Sequence, residues 1–201
     1  MNTTNPEDWL HVFLFGIYPY IALTVCIFGC WARFDLSQYT WRAGSSRMLS
    51  DKGMRLASNL FHIGIIVVLL GHFFGMFTPH VIYERIITAP QKQLMAVIVG
   101  GIAGIMCLIG LIMLIWRRFT NPRISHTSTF SDKMLLLIIL LQLVMGLATI
   151  WSYPTHRDGA LMLSLAGWAQ NLAILRPVYA ASLVEDAGLV YKMHMFLGTT
   201  L

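Results

Sequence analysis

The chain has 201 residues, of which 57% are hydrophobic and 11% charged, and it carries a formal net charge of +5. Soluble domains carry roughly 25% charged residues, so an ordinary soluble domain is excluded. The composition predicts an all-α membrane protein, and the length suits one bundle over 1–201 rather than several domains.

The leader, MNTTNPEDW, is acidic, and the apolar core behind it is too long for a cleavable signal; it is expected to stay as an anchor. Spans are predicted at Leu10–Trp31, Leu56–Phe77, Leu94–Trp116 and Met134–Trp151. Each is about 18 to 23 residues, enough for a helix to cross roughly 30 Å of hydrocarbon.

The first connection, RFDLSQYTWRAGSSRMLSDKGMR (Arg33–Arg55), holds Arg33, Arg42, Arg47, Lys52 and Arg55. The second holds Arg85 and Lys92, and the third Arg117, Arg118, Arg123 and Lys133. This asymmetry places the N-terminus outside and connections one and three in the cytoplasm. No nucleic-acid motif accompanies the basic residues, so they suit lipid headgroups and an internal partner better than nucleic acid. An ordinary positive-inside loop accounts for the charge of the first connection but not for Tyr39 and Trp41. A docking surface for a cytoplasmic subunit accounts for both.

Beyond the fourth span, ALMLSLAGWAQNLAIL (Ala160–Leu175) is apolar but only about 16 residues long, below the usual spanning minimum. Gln170 and Asn171 interrupt it, and Arg176-Pro177 ends it. It is predicted as an interfacial or re-entrant helix over the outer face. As a sixth span it would invert the end of the chain. A fifth span opens at Gly188 and is still apolar at Leu201. Its fourteen residues cover only about 21 Å as a helix, so the sequence reads as cut inside its last span. Cys26, Cys30 and Cys107 all lie in spans, form no closely spaced ligand set, and are expected to be small core residues.

The chemistry-bearing stretch is NLFHIGIIVVLLGHFFG (Asn59–Gly75), in which His62 and His72 stand inside a span. Ionisable residues at membrane depth suggest function. The two are separated by roughly 15 Å of rise and lie about 80° apart around the helix. They cannot share one metal ion, unlike pairs spaced three or four apart. The spacing suits two separate centres stacked across the membrane, and haem is the natural candidate. Gly64, Gly71 and Gly75 would admit a flat macrocycle, or would simply allow close helix packing. Phe61, Phe73 and Phe74 would pack on such a ring. His194 stands about six residues, or 9 Å, from the outer end of the fifth span. Depth therefore pairs it with His72, on one outer haem. His62 lies nearer the cytoplasm, and its partner would lie one to three turns past Leu201. His11, His80, His126 and His156 are read as interfacial or solvated.

IYPYIA (Ile17–Ala22), QYTWRAGSS (Gln38–Ser46), KGMRLASNLFHIG (Lys52–Gly64), GHFFGMFTPH (Gly71–His80) and GWAQ (Gly167–Gln170) together closely resemble the gamma subunit of membrane-bound respiratory nitrate reductase, a dihaem cytochrome b. The resemblance covers essentially the whole chain. It implies five transmembrane helices in the bacterial inner membrane, with two haem b groups between the second and fifth. It implies His72 and His194 as iron ligands of the outer haem and His62 as a ligand of the inner one. The family's second inner ligand has no counterpart in this sequence, which puts inner-haem binding by these residues alone in doubt. The resemblance further implies quinol oxidation at the outer face, with Lys92 in APQKQLMA as the quinol-site lysine and Gly71 giving the ring room. Without it, Lys92 reads as a snorkelling interfacial lysine. Electrons would pass to an iron–sulfur beta subunit and a molybdenum alpha subunit that reduces nitrate. Arg117 and Arg118 would pair with inner-haem propionates or anchor the chain to headgroups. Two rivals stand beside this reading. One is a dihaem quinone-linked subunit of a reductase acting on sulfur compounds or disulfides. The other is a non-redox anchor or transporter with structural histidines.

Overall fold

The computed structural model describes residues 6–40, 53–155 and 157–201. The first residues of the leader, His156 and most of the expected docking loop, including Trp41, Arg42, Arg47 and Lys52, lie outside the described residues. Every regular element among the described residues is helical. They run α1 (Pro6–Val12), a π-helical stretch (Phe13–Ile17), α2 (Tyr18–Ser37), α3 (Met54–Phe77), α4 (His80–Tyr83), α5 (Ala89–Thr120), α6 (Pro122–Thr127), α7 (Phe130–Thr149), α8 (Ala160–Ala173), α9 (Pro177–Ser182) and α10 (Leu189–Thr200).

Four stretches are long and apolar enough to cross a membrane: Asp8–Thr40, Met54–Phe77, Ala89–Thr120 and Phe130–Pro154. Each contains an expected span and extends past it. The extensions have local causes. A capping box, Thr88 with Gln91, starts α5 five residues before its apolar run, and another, Thr129 with Asp132, starts α7 four residues before its own. The fold is an all-α membrane bundle. Val25, Ile27, Phe28 and Trp31 on α2, and Ile98, Val99, Ile102 and Ile105 on α5, are all at least half exposed. Such faces would associate in water, whereas hydrocarbon accepts them.

Cys107 is fully buried, as expected of a small core residue, but Cys26 and Cys30 are exposed. The expectation fails there because α2 has no buried residue along its length.

The main interface joins α3 to α5. A Cβ at Gly64 would come within 2.7 Å of the Ala103 carbonyl oxygen, and one at Gly110 within 2.8 Å of the Ala57 oxygen. The two backbones therefore touch where side chains are missing. Cys107, Leu111 and Leu143 fill the seam towards α7, with Phe61 and Ile65 packed against them.

A second core sits at the end of the bundle where α1 begins, α3 ends and α5 begins. Phe15, Trp168, Ala169, Ala180, Ala181 and Val184 are buried together there. The π-helical stretch widens the backbone, and Trp168 Nε1 donates to the Phe15 carbonyl at 2.8 Å. Gln170 Nε2 donates to the Met76 carbonyl at 2.8 Å, satisfying an orphan acceptor at the end of α3. The Tyr20 hydroxyl donates to the Leu172 carbonyl at 2.7 Å. Thus α8, 14 residues long, lies across this end and ties its helices together. The GWAQ stretch supplies two of those bonds.

Candidate functional site

His72 on α3 and His194 on α10 face each other, ring centres 6.1 Å apart and planes at 48°. The helices carrying them do not pack closely: α10 rests on α7 and α2, and α3 on α5 and α8. The two rings meet across the space between.

Three histidines share a bonding pattern. Nδ1 of His72 donates to the Val68 carbonyl at 2.8 Å, and Nδ1 of His62 to the Ser58 carbonyl at 2.7 Å. Nδ1 of His194 donates to the Gln142 carbonyl at 3.2 Å. A carbonyl oxygen only accepts, so each Nδ1 carries the hydrogen, and a neutral ring then offers Nε2 as a lone pair. Metal-ligating histidines have this arrangement, with the far nitrogen held by a carbonyl. Sequence spacing did not show this pattern, because in α3 it depends on the carbonyl four residues earlier pointing at the ring.

The other histidines differ. His11, expected to be interfacial or solvated, is half-buried: it donates from Nε2 to the Ala181 carbonyl at 2.9 Å and lies against Phe15 beside the second core. His80 Nδ1 pairs with Glu84 at 2.8 Å on an exposed turn. His126 is exposed on α6. No three His, Cys, Asp or Glu side chains cluster around a metal-sized site among the described residues.

The surroundings of His194 were not foreseen. Gln142 on α7 donates from Nε2 to the His194 carbonyl at 3.1 Å. A Cβ at Gly146 would stand 2.8 Å from Cε1 of His194. A polar residue in the middle of an apolar span was the available signal for Gln142.

Glycines and aromatics sort by what they touch. Gly64 serves the α3–α5 contact, whereas Cβ atoms at Gly71 and Gly75 would meet nothing within 4 Å. Phe61 packs into the helix core, with its ring 5.3 Å from that of His62. Phe73 and Phe74 are exposed and paired with each other.

Lys92 lies one turn inside α5 and is only 8% exposed. Its Nζ donates to the Gly75 carbonyl at 3.1 Å and stands 3.6 Å over the Tyr83 ring. Gly75 is three residues past His72, so the cation lies at the outer histidine's end of α3. Tyr83 is buried, and its hydroxyl has no hydrogen-bond partner among the described residues. Burial, then the Glu84 carboxylate, raises its pKa above the ordinary tyrosine value. At the opposite end of α5, Arg118 donates to Ser128 Oγ at 2.9 Å and approaches Asp132 at 3.7 Å.

The nitrate reductase gamma subunit family model matches residues 11–201. The chain is 46% identical over 194 residues to the respiratory nitrate reductase 1 gamma chain of Escherichia coli (strain K12), covering 96% of this chain and 86% of that one. It is 45% identical to the respiratory nitrate reductase 2 gamma chain of the same organism, covering 96% and 85%. It is 34% identical to the nitrate reductase gamma chain of Bacillus subtilis (strain 168), covering 92% and 82%. The chain belongs to the nitrate reductase gamma subunit family.

Proposed function

We propose that this chain is the cytochrome b subunit of a respiratory nitrate reductase in the bacterial inner membrane, oxidising quinol near the outer face and supplying electrons to alpha and beta partners on the cytoplasmic side. The observation that carries this reading is the facing pair His72 and His194. A metal–imidazole bond is about 2 Å long, so two imidazoles that would hold one metal ion between them need ring centres roughly 6 Å apart. The observed separation is 6.1 Å. The Nδ1 bonds leave Nε2 of both rings for the metal, and Gly71 leaves open space beside His72. The residues present fit a haem between α3 and α10.

Bound haem iron supplies one-electron chemistry. The chain's residues do the rest. His72 and His194 would hold the outer haem. His62, ten residues earlier on the same helix with its own Nδ1 bond, would supply one ligand to an inner haem. Lys92 would serve quinol directly. An ammonium has three donors, and the Gly75 carbonyl uses one. Held in a low-dielectric site, its charge favours the oxyanion that develops as a quinol hydroxyl loses its proton. The Tyr83 ring fixes the ammonium in place.

A quinol-reduction assay on membranes carrying the complex tests the reading. Anaerobic quinol should reduce a b-type haem, and nitrate should reoxidise it only when the alpha and beta subunits are present. Protein from haem-replete cells without a Soret band, or a haem that quinol does not reduce, would count against it.

A further inference from the structure

We propose that Gln142 and Gly146, one turn apart on α7, are positioning residues that aim the His194 imidazole at His72. The inference rests on the proposal that His72 and His194 would hold one haem.

Three constraints converge on His194 from a helix that carries no histidine. Its Nδ1 hydrogen goes to the backbone carbonyl of Gln142 at 3.2 Å, a bond that α7 supplies through its main chain. Its own backbone carbonyl accepts from Gln142 Nε2 at 3.1 Å. Its ring lies over Gly146, where a Cβ would come within 2.8 Å of Cε1 and 3.4 Å of Nε2. Nε2 is the coordinating atom itself, and Cε1 is its ring neighbour. The first bond selects the tautomer, the second fixes α10 along α7, and the missing side chain sets how far the ring can turn. Gly198 completes the seat, since a Cβ there would stand 2.8 Å from Gln142 Nε2.

The arrangement is costly unless it is used. An unbonded side-chain amide at membrane depth costs free energy; Gln142 Nε2 is bonded, while its Oε1 is buried with no hydrogen-bond partner among the described residues. Polar residues often serve only to join helices. Here the bond goes to the ligand residue itself, on the face where α10 meets α7. Hydrogen bonds to a ligating histidine and the orientation of its ring tune an iron centre. Gln142 and Gly146 should therefore set the spectrum and potential of the outer haem, and not stability alone.

The test uses the full complex in membranes. Gly146→Ala, Gln142→Leu and Gly198→Ala are compared with Gly100→Ala, a control on α5 where a Cβ meets nothing within 4 Å. Haem content, low-spin electron paramagnetic resonance and redox titration are read for both haems. Gly146→Ala and Gln142→Leu should move the g-values and midpoint potential of the outer haem, or lose it, while the inner haem signal and the Gly100→Ala protein match wild type. Gly198→Ala should reproduce Gln142→Leu, and adding it to Gln142→Ala should change nothing more. If Gly146→Ala does not accumulate, Gln142→Asn, which shortens the amide by a methylene, gives the same readout. Wild-type g-values and potential in Gly146→Ala and Gln142→Leu would overturn the proposal. Failure of His72→Ala and His194→Ala to deplete a common haem would instead sink the ligand assignment beneath it.

Discussion

A buried lysine in a membrane helix has few places to put its charge. Lys92 uses a carbonyl at the end of a neighbouring helix and the face of a tyrosine. Lys92→Ala should slow quinol oxidation by at least tenfold, the scale of about 1.4 kcal/mol of lost transition-state stabilisation, while haem content stays at the wild-type level. Steady-state turnover with a quinol analogue, beside the pyridine haemochrome content, checks it. Turnover equal to wild type would reject the role. At this scale the sequence was informative about residue type and less so about environment. His62, His72 and His194 stand out as ionisable residues in apolar runs. Lys92 read as a snorkelling residue from local pattern alone, because its burial comes from Tyr83 and Gly75, outside its own helix. Gly146 left no trace among the many glycines of the spans, since its meaning depends on a ring brought in from α10.

The four long helices follow from apolar runs, and the starts of α5 and α7, five and four residues further out, from their capping boxes. How they pack was not legible from those runs. The α3–α5 contact depends on Gly64 and Gly110 meeting backbone atoms of the partner helix. Gly110→Leu should force those backbones apart, costing about 1–3 kcal/mol or more, the range for overpacking. A lowered midpoint in thermal unfolding of the detergent-solubilised protein, with loss of bound haem, is the expected result; an unchanged midpoint would show that the contact is not tight. The short helix α8 acts as a strap over one end of the bundle. Trp168→Phe keeps the ring but removes the bond to the Phe15 carbonyl. It should cost about 0.5–1.5 kcal/mol and raise protease sensitivity of the segment around α8 and α9. Equal cleavage rates in mutant and wild type would argue that the bond contributes nothing to the strap.

At the scale of the whole molecule, the basic residues on connections one and three and the acidic leader predict a fixed sidedness. With the strapped end outward, His72, His194 and Lys92 lie towards the outer face and His62 towards the cytoplasm. Quinol oxidation would then release two protons outside while electrons move inward, building membrane potential. Oriented proteoliposomes given quinol and nitrate should acidify the compartment on the strapped side. Proton release on the side of Arg117 and Arg118 would reverse the orientation. The account depends most on one pair of rings. His72→Ala and His194→Ala, each expressed with the partner subunits and titrated for haem by optical and paramagnetic resonance spectra, should lose the same haem signal and leave the other intact. Loss of different haems in the two variants, or of none, would contradict it.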